Sequence, residues 1–180
     1  MTGHPISVGG IVVPTNDSTF LVVVSVHVVA GLVCVVAGAL AMLSRKGRGN
    51  HTRAGLLYYR SLTVVFATMS VLAAMRWAHD HYLFILGLLS FSAAAVGRCF
   101  VNHRGAWRLR AHIVGMGASY VLLLIAFYVD NGPSLPLWRN LPHVAYWSLP
   151  LLVGAPLIVR AVMSHPLART ERKSAWLKPR

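Results

Sequence analysis

RAHIVGMGASYVLLLIAFYVDNGP occupies Arg110–Pro133, and its middle, Ile113–Val129, runs for 17 residues without a formal charge. At about 1.5 Å per residue, a helix of that run approaches the roughly 30 Å thickness of bilayer hydrocarbon. Four further stretches have the same character: Leu21–Leu43, Ala54–Met75, Tyr82–Val101 and His143–Met163. The second and third of the five reach full length if Arg60 and Arg98, each near one end, snorkel to the interface. The sequence therefore predicts an all-α polytopic membrane protein of five transmembrane helices, an up-down four-helix core plus a Pro-kinked fifth. A tail at 1–20, the membrane domain at 21–163 (spans 21–43, 54–75, 82–101, 113–129 and 143–163) and a basic tail at 164–180 complete the organisation, with no soluble domain.

Composition agrees. Of 180 residues, 56 % are apolar and 12 % charged, far from the average of soluble domains. The net charge of +13 would suit a nucleic-acid binder in a soluble chain. In a membrane chain the placement of the charges carries the information, and no nucleic-acid partner is expected. Fifteen of the 17 lysines and arginines fall on one side: Arg45, Lys46, Arg48, Arg53 and Arg60 after the first span, Arg98, Arg104, Arg108 and Arg110 after the third, and Arg160, Arg169, Arg172, Lys173, Lys178 and Arg180 at the end. Only Arg76 and Arg139 lie opposite. The positive-inside rule then sets the N-terminus outside and the C-terminus in the cytoplasm. Arg45, Lys46, Arg48, Arg53, Arg104, Arg108 and Arg110 are expected to contact anionic lipid headgroups.

The first span lacks a basic leader and exceeds a signal peptide's apolar region, so it reads as a retained helix. Cys34 lies in mid-span and Cys99 near the end of the third span, depths too different for a disulfide. A faint repeat at an offset of 52 residues relates Asn50-His51 to Asn102-His103, each in a basic loop between two spans.

Candidate functional groups form two stations, one near each membrane surface. His112 and Asp130 are five helical turns apart and share a face with Met116, Ser119, Leu123 and Ala126, with Gly115 beside it, so that face should point into the bundle. In the first span His27 shares a small-residue stripe with Gly31, Cys34, Gly38 and Ala41. An ionisable residue about two turns below the surface is a functional hypothesis in itself. The outer station comprises His27, Asp130, the His79-Asp80-His81 turn expected between the second and third spans, and His143. The inner station comprises His51, His103 and His112.

Three segments carry a resemblance. NHTRAGLLYYRSL (Asn50–Leu62) resembles a basic His-x-x-x-Gly-x-x-Tyr segment. HIVGMGASYVLLLIAFYVDNGPSLPLW (His112–Trp138) and LPHVAYWSLPLLVGAPLI (Leu141–Ile158) resemble the C-terminal half of a family of bacterial membrane proteins known as a domain of unknown function. His51, Gly55, Tyr59, His112, Met116, Tyr120, Asp130, Asn131, Gly132, Pro133, Trp147, Pro150 and Pro156 sit at its motif positions. Leu56 stands where such families carry arginine after the glycine. The resemblance implies a multi-helix protein of the cytoplasmic (inner) membrane and supplies no activity.

Function classes follow from the stations. Imidazoles inside a helical bundle are the usual ligands of haem b, and with carboxylate they suit a divalent metal. With nine histidines in the chain, a histidine-based haem- or metal-binding redox protein is the favoured reading. The alternatives are a proton-coupled small-solute transporter, for which Pro150, Gly154 and Pro156 would break or bend the fifth helix, and a non-catalytic accessory or assembly subunit. A membrane-complex partner and a homo-oligomer both stay open. The chain shows no nucleophile-base set, Gly-rich phosphate loop or acid pair.

Overall fold

The computed structural model describes residues 6–8, 11–13, 18–45, 49–100 and 106–164. Five long helices dominate: α1 (Ser18–Leu43), α2 (Asn50–Met75), α3 (Trp77–Cys99), α4 (Ala106–Asn131) and α5 (His143–Ser164). Each is long and apolar enough to cross a membrane. A multi-pass membrane protein is the architecture that these lengths and hydropathies define. Before α1, within the stretch expected to be only a tail, β1 (Ile6–Val8) pairs antiparallel with β2 (Ile11–Val13), Ile6 opposite Val13.

The chain divides into two compact bodies, Met1–His81 and Tyr82–Arg180. In the first, α1 packs on α2. The buried residues of α2 include Tyr58, Leu62, Val65, Met69 and Leu72, spaced four and three apart, so one stripe of the helix meets its partner. From α1 come Cys34, Ala37 and Gly38, small residues that let the two backbones approach. The Cys34 thiol donates to the Tyr58 carbonyl at 3.6 Å. Near the other end, the Arg76 guanidinium lies 5.8 Å from the centroid of the Phe20 ring, so the pair is antiparallel. Gly49, the residue before α2, takes φ 123°, a conformation open to glycine, and its carbonyl accepts from the Arg53 N–H.

In the second body α4 is held on both sides. Against α3 the contact is backbone on backbone. A Cβ added to Gly97 would stand 2.9 Å from the Met116 nitrogen, and one added to Gly115 would stand 2.8 Å from both the Ala93 oxygen and the Gly97 Cα. Two turns away, the Ser90 hydroxyl donates to the Ser119 carbonyl at 2.9 Å, and both serines are fully buried. Against α5 the contact is side chain into notch. A Cβ on Gly154 would collide with the Val121 side chain, and one on Gly117 would sit 2.6 Å from Ile158 Cγ1. Leu86, Val121, Ile125, Val129 and Tyr146 form the apolar core. The α5 helix runs unbroken through Pro150 and Pro156. Its outer face, with Leu151, Leu152, Val153, Leu157 and Val159, is exposed. Such a face suits lipid.

Three helices begin earlier than the expected spans. The α2, α3 and α4 helices begin at Asn50, Trp77 and Ala106, ahead of the expected 54, 82 and 113. Charged residues bounded the expected spans. Backbone hydrogen bonding continues through them, because beyond the hydrocarbon an arginine on a helix costs little.

Candidate functional site

In the first body, His27 is the histidine that stands well within a helix span. Its Nδ1 lies 2.9 Å from the Thr68 hydroxyl oxygen. That hydroxyl also sits 2.8 Å and 3.0 Å from the carbonyl oxygens of Val64 and Val65. Its single proton goes to these carbonyls, which only accept, so its oxygen accepts from the His27 Nδ1–H. In the neutral ring the Nε2 lone pair is then the ligand or acceptor atom. The α1–α2 packing fixes the imidazole half-buried at this height.

Two further histidines do something that the sequence did not announce. His51 Nδ1 stands 2.8 Å from the Ala41 carbonyl, and His112 Nδ1 stands 2.8 Å from the Gly97 carbonyl. A carbonyl only accepts, so both ring nitrogens donate. Ala41 and Gly97 lie in the last turns of α1 and α3, where four carbonyls have no partner within the helix. Each histidine, near the start of one helix, thus caps the C-terminus of the helix before it. At a membrane boundary such capping gives helix-end carbonyls a hydrogen-bond partner. His51 and His112 thus play matching parts in the two helix pairs. His103 lies outside the described residues, as do Lys46, Arg48 and Arg104.

The outer candidates fall in different places. His79, Asp80 and His81 were expected to form a turn between spans. They belong to the first turns of α3, and Arg76 alone separates α2 from α3. The Arg76 N–H bonds to the carbonyls of Leu72 and Ala73, and its carbonyl accepts from the N–H groups of His79 and Asp80. One residue serves both helix ends, so no loop is needed. His79 and His81 are exposed. His81 Nδ1 lies 3.3 Å from the Trp77 carbonyl one turn back.

In the second body the α4 stripe is buried at Ser119 and Leu123, but its last member, Asp130, is exposed. The stripe does not carry Asp130 inward as expected. The Asn131 amide instead donates to the Asp130 carboxylate at 3.3 Å and to the Phe127 carbonyl at 3.1 Å, closing the helix end. Gly132 and Pro133 then open a short 3-10 turn. A Cβ at Gly132 would be 2.7 Å from the Tyr146 ring, so the ring lies against the chain where only glycine fits. The Tyr146 hydroxyl donates to the Trp138 carbonyl at 3.0 Å, and the Trp138 ring stacks on Tyr128 at 4.2 Å. The Asp-Asn-Gly-Pro segment therefore terminates α4 and seats an aromatic cluster. His143 opens α5, exposed, edge-on to Tyr146 at 5.8 Å.

Among the described residues, no three histidine, cysteine, aspartate or glutamate side chains come together as metal ligands. His27, His79 and His81 belong to the first body, Asp130 and His143 to the second. Of the inner arginines, Arg45, Arg53 and Arg110 are exposed, as lipid contact requires, and the Arg108 guanidinium lies 5.4 Å from the centroid of the Trp107 ring. Thr68, Ser90, Gly97 and Tyr146, none of them singled out from sequence, prove central to these contacts. In comparisons with known proteins, the chain matches no family model, no curated protein and no solved structure.

Proposed function

We propose that the chain is a multi-pass protein of a bacterial cytoplasmic membrane, with its N-terminus outside, and that it binds haem b through the His27 imidazole as a membrane redox protein. The observation that supports this reading is the anchoring of His27. A histidine that ligates iron or another metal characteristically donates its other ring N–H to a fixed oxygen, which sets the tautomer and the ring's orientation. Thr68, itself held by two carbonyls, supplies that oxygen. A zinc or copper centre of three or four protein donors is not gathered among the described residues, whereas haem asks for only one or two imidazoles. The fit rests on donor chemistry, and when bound the haem would supply one-electron chemistry. The chain's own part is to hold His27 Nε2 deprotonated and oriented.

His51 and His112 are anchored in the same way, their Nδ1–H on helix-end carbonyls, and differ from His27 in standing near the start of a helix rather than well within a span. The transporter reading leaned on prolines that would break or bend α5, and the helix runs continuously through both of them. The His-x-x-x-Gly-x-x-Tyr and Asp-Asn-Gly-Pro segments support kinship with the family of bacterial membrane proteins that they resemble.

The test is an absorption spectrum of the purified protein with iron analysis, for the native chain and for His27→Ala. A Soret band lost in His27→Ala is the expected result. Neither band nor stoichiometric iron in the native chain would overturn the haem reading and favour an accessory subunit whose histidines are structural.

A further inference from the structure

A groove of about 310 Å³ lies between the C-terminal half of α1 and the N-terminal half of α2. Its walls are Ala37 and Leu40 from α1, Ser44 just past its end, and Asn50, Arg53, Ala54 and Leu57 from α2. On each helix these positions recur at three- and four-residue steps, so the groove runs along the helix axes rather than across them. Its polarity is ordered. Ser44, Asn50 and Arg53 stand at the end nearest the α1–α2 connection, while Ala37 and Leu57 stand deeper in the span. Leu40 and Leu57 are about half exposed, so the apolar end is open to the bilayer.

Within this hairpin the charge at the polar end has no acidic counterpart in the sequence. From Ser18 to His79 the sequence contains no aspartate or glutamate, while Arg45, Lys46, Arg48 and Arg53 fall within one nine-residue stretch of it. Arg53 is exposed. No carboxylate of this hairpin can neutralise it.

We propose that this groove binds one anionic phospholipid, its phosphate at Arg53 with Ser44 and Asn50 beside it, and the first part of an acyl chain along Leu40, Ala54 and Leu57. Three features select this occupant. The groove sits at a membrane boundary, it grades from polar to apolar in the direction a lipid does, and its polar end carries positive charge that the surrounding sequence leaves unpaired. A volume near the lower end of ligand clefts suits a headgroup and the start of one chain, the remainder lying in the bilayer. The site is independent of the haem reading, since none of its residues touches His27 or Thr68 in the contacts described above.

The test is binding to the full-length protein in detergent, followed by thermal stabilisation on titration with phosphatidylglycerol, phosphatidylcholine or inorganic phosphate. Phosphatidylglycerol should stabilise most. Arg53→Gln should weaken its apparent affinity about fivefold, the effect of one basic contact at a membrane surface. Arg60→Gln removes an equal charge from an exposed position outside the groove and should change affinity little. Leu57→Trp, at a half-exposed position, should fill the groove and weaken phosphatidylglycerol while leaving the lipid-free melting temperature near that of the native chain. The proposal is overturned if phosphatidylcholine stabilises equally, if inorganic phosphate matches the lipid, if Arg60→Gln and Arg53→Gln act alike, or if Leu57→Trp leaves binding intact.

Discussion

His27 Nδ1 and Thr68 Oγ1 lie 2.9 Å apart, joining α1 to α2 within the span by a bond in which the imidazole donates. In membrane proteins such interhelical bonds average roughly 0.6 kcal/mol and reach about 1.7. A double-mutant cycle with His27→Phe and Thr68→Val should therefore return a coupling near that average, measured by reversible unfolding in mixed micelles. Strict additivity would show that the two side chains do not depend on one another.

The glycine contacts of α3 and α4 should be intolerant of one added methyl. Gly97→Ala and Gly115→Ala place a Cβ against backbone that has no rotamer to yield, and each should cost about 1–3 kcal/mol. Gly31→Ala is the contrast. Although the sequence suggested a close seam at Gly31, a Cβ there meets nothing within 4 Å, and the substitution should be neutral or mildly stabilising. Equal melting temperatures for all three variants would contradict the α3–α4 geometry.

At α4–α5 the conflict is between side chains, so it can be relieved. Gly154→Ala should destabilise because the new methyl enters the space of Val121. Adding Val121→Ala should recover part of that loss, although Val121→Ala alone removes core packing and costs stability. Absence of any rescue in the double variant would mean that Val121 does not occupy the Gly154 notch.

Capping of α3 by His112 predicts a chemical requirement, a donor. His112→Phe keeps a ring but leaves the Gly97 carbonyl without the His112 bond, and should cost about 1–3 kcal/mol. His112→Gln, which retains an N–H, should be milder. If the two variants are equally stable, the hydrogen bond is not what position 112 contributes.

Orientation is open to a direct assay. With 15 of 17 lysines and arginines on one side, a reporter fused after Arg180 should be cytoplasmic and one inserted between Pro133 and Pro142 external. The reverse pattern would invert the two stations.

The five spans were legible because a mostly apolar run near 20 residues has few other uses in a chain this apolar. The buried face of α4 was legible too, since Ser119 and Gly115 mark a small-residue stripe. What the histidines bond to was not. Ala41 and Gly97 contribute backbone carbonyls, which every residue possesses and which leave no trace in the sequence. The Asp-Asn-Gly-Pro segment looked like a polar station because it holds a carboxylate at a span's end. Its geometry instead turns on Gly132, where the missing side chain admits the Tyr146 ring. The His79-Asp80-His81 segment looked like a loop because its residues are polar, yet the two helices needed only Arg76 between them.

Val121 faces Gly154 and Ile158 faces Gly117, two bulky-on-small pairs one helical turn apart along an antiparallel contact. Sliding α5 by one turn, about 5.4 Å, brings Val121 onto Ile158 in one direction and Gly117 onto Gly154 in the other. The first is a steric jam and the second a void. This pair of helices therefore has a pawl built into it. A one-turn slide between them is disfavoured in both directions, so α4 and α5 are held in this register as a pair.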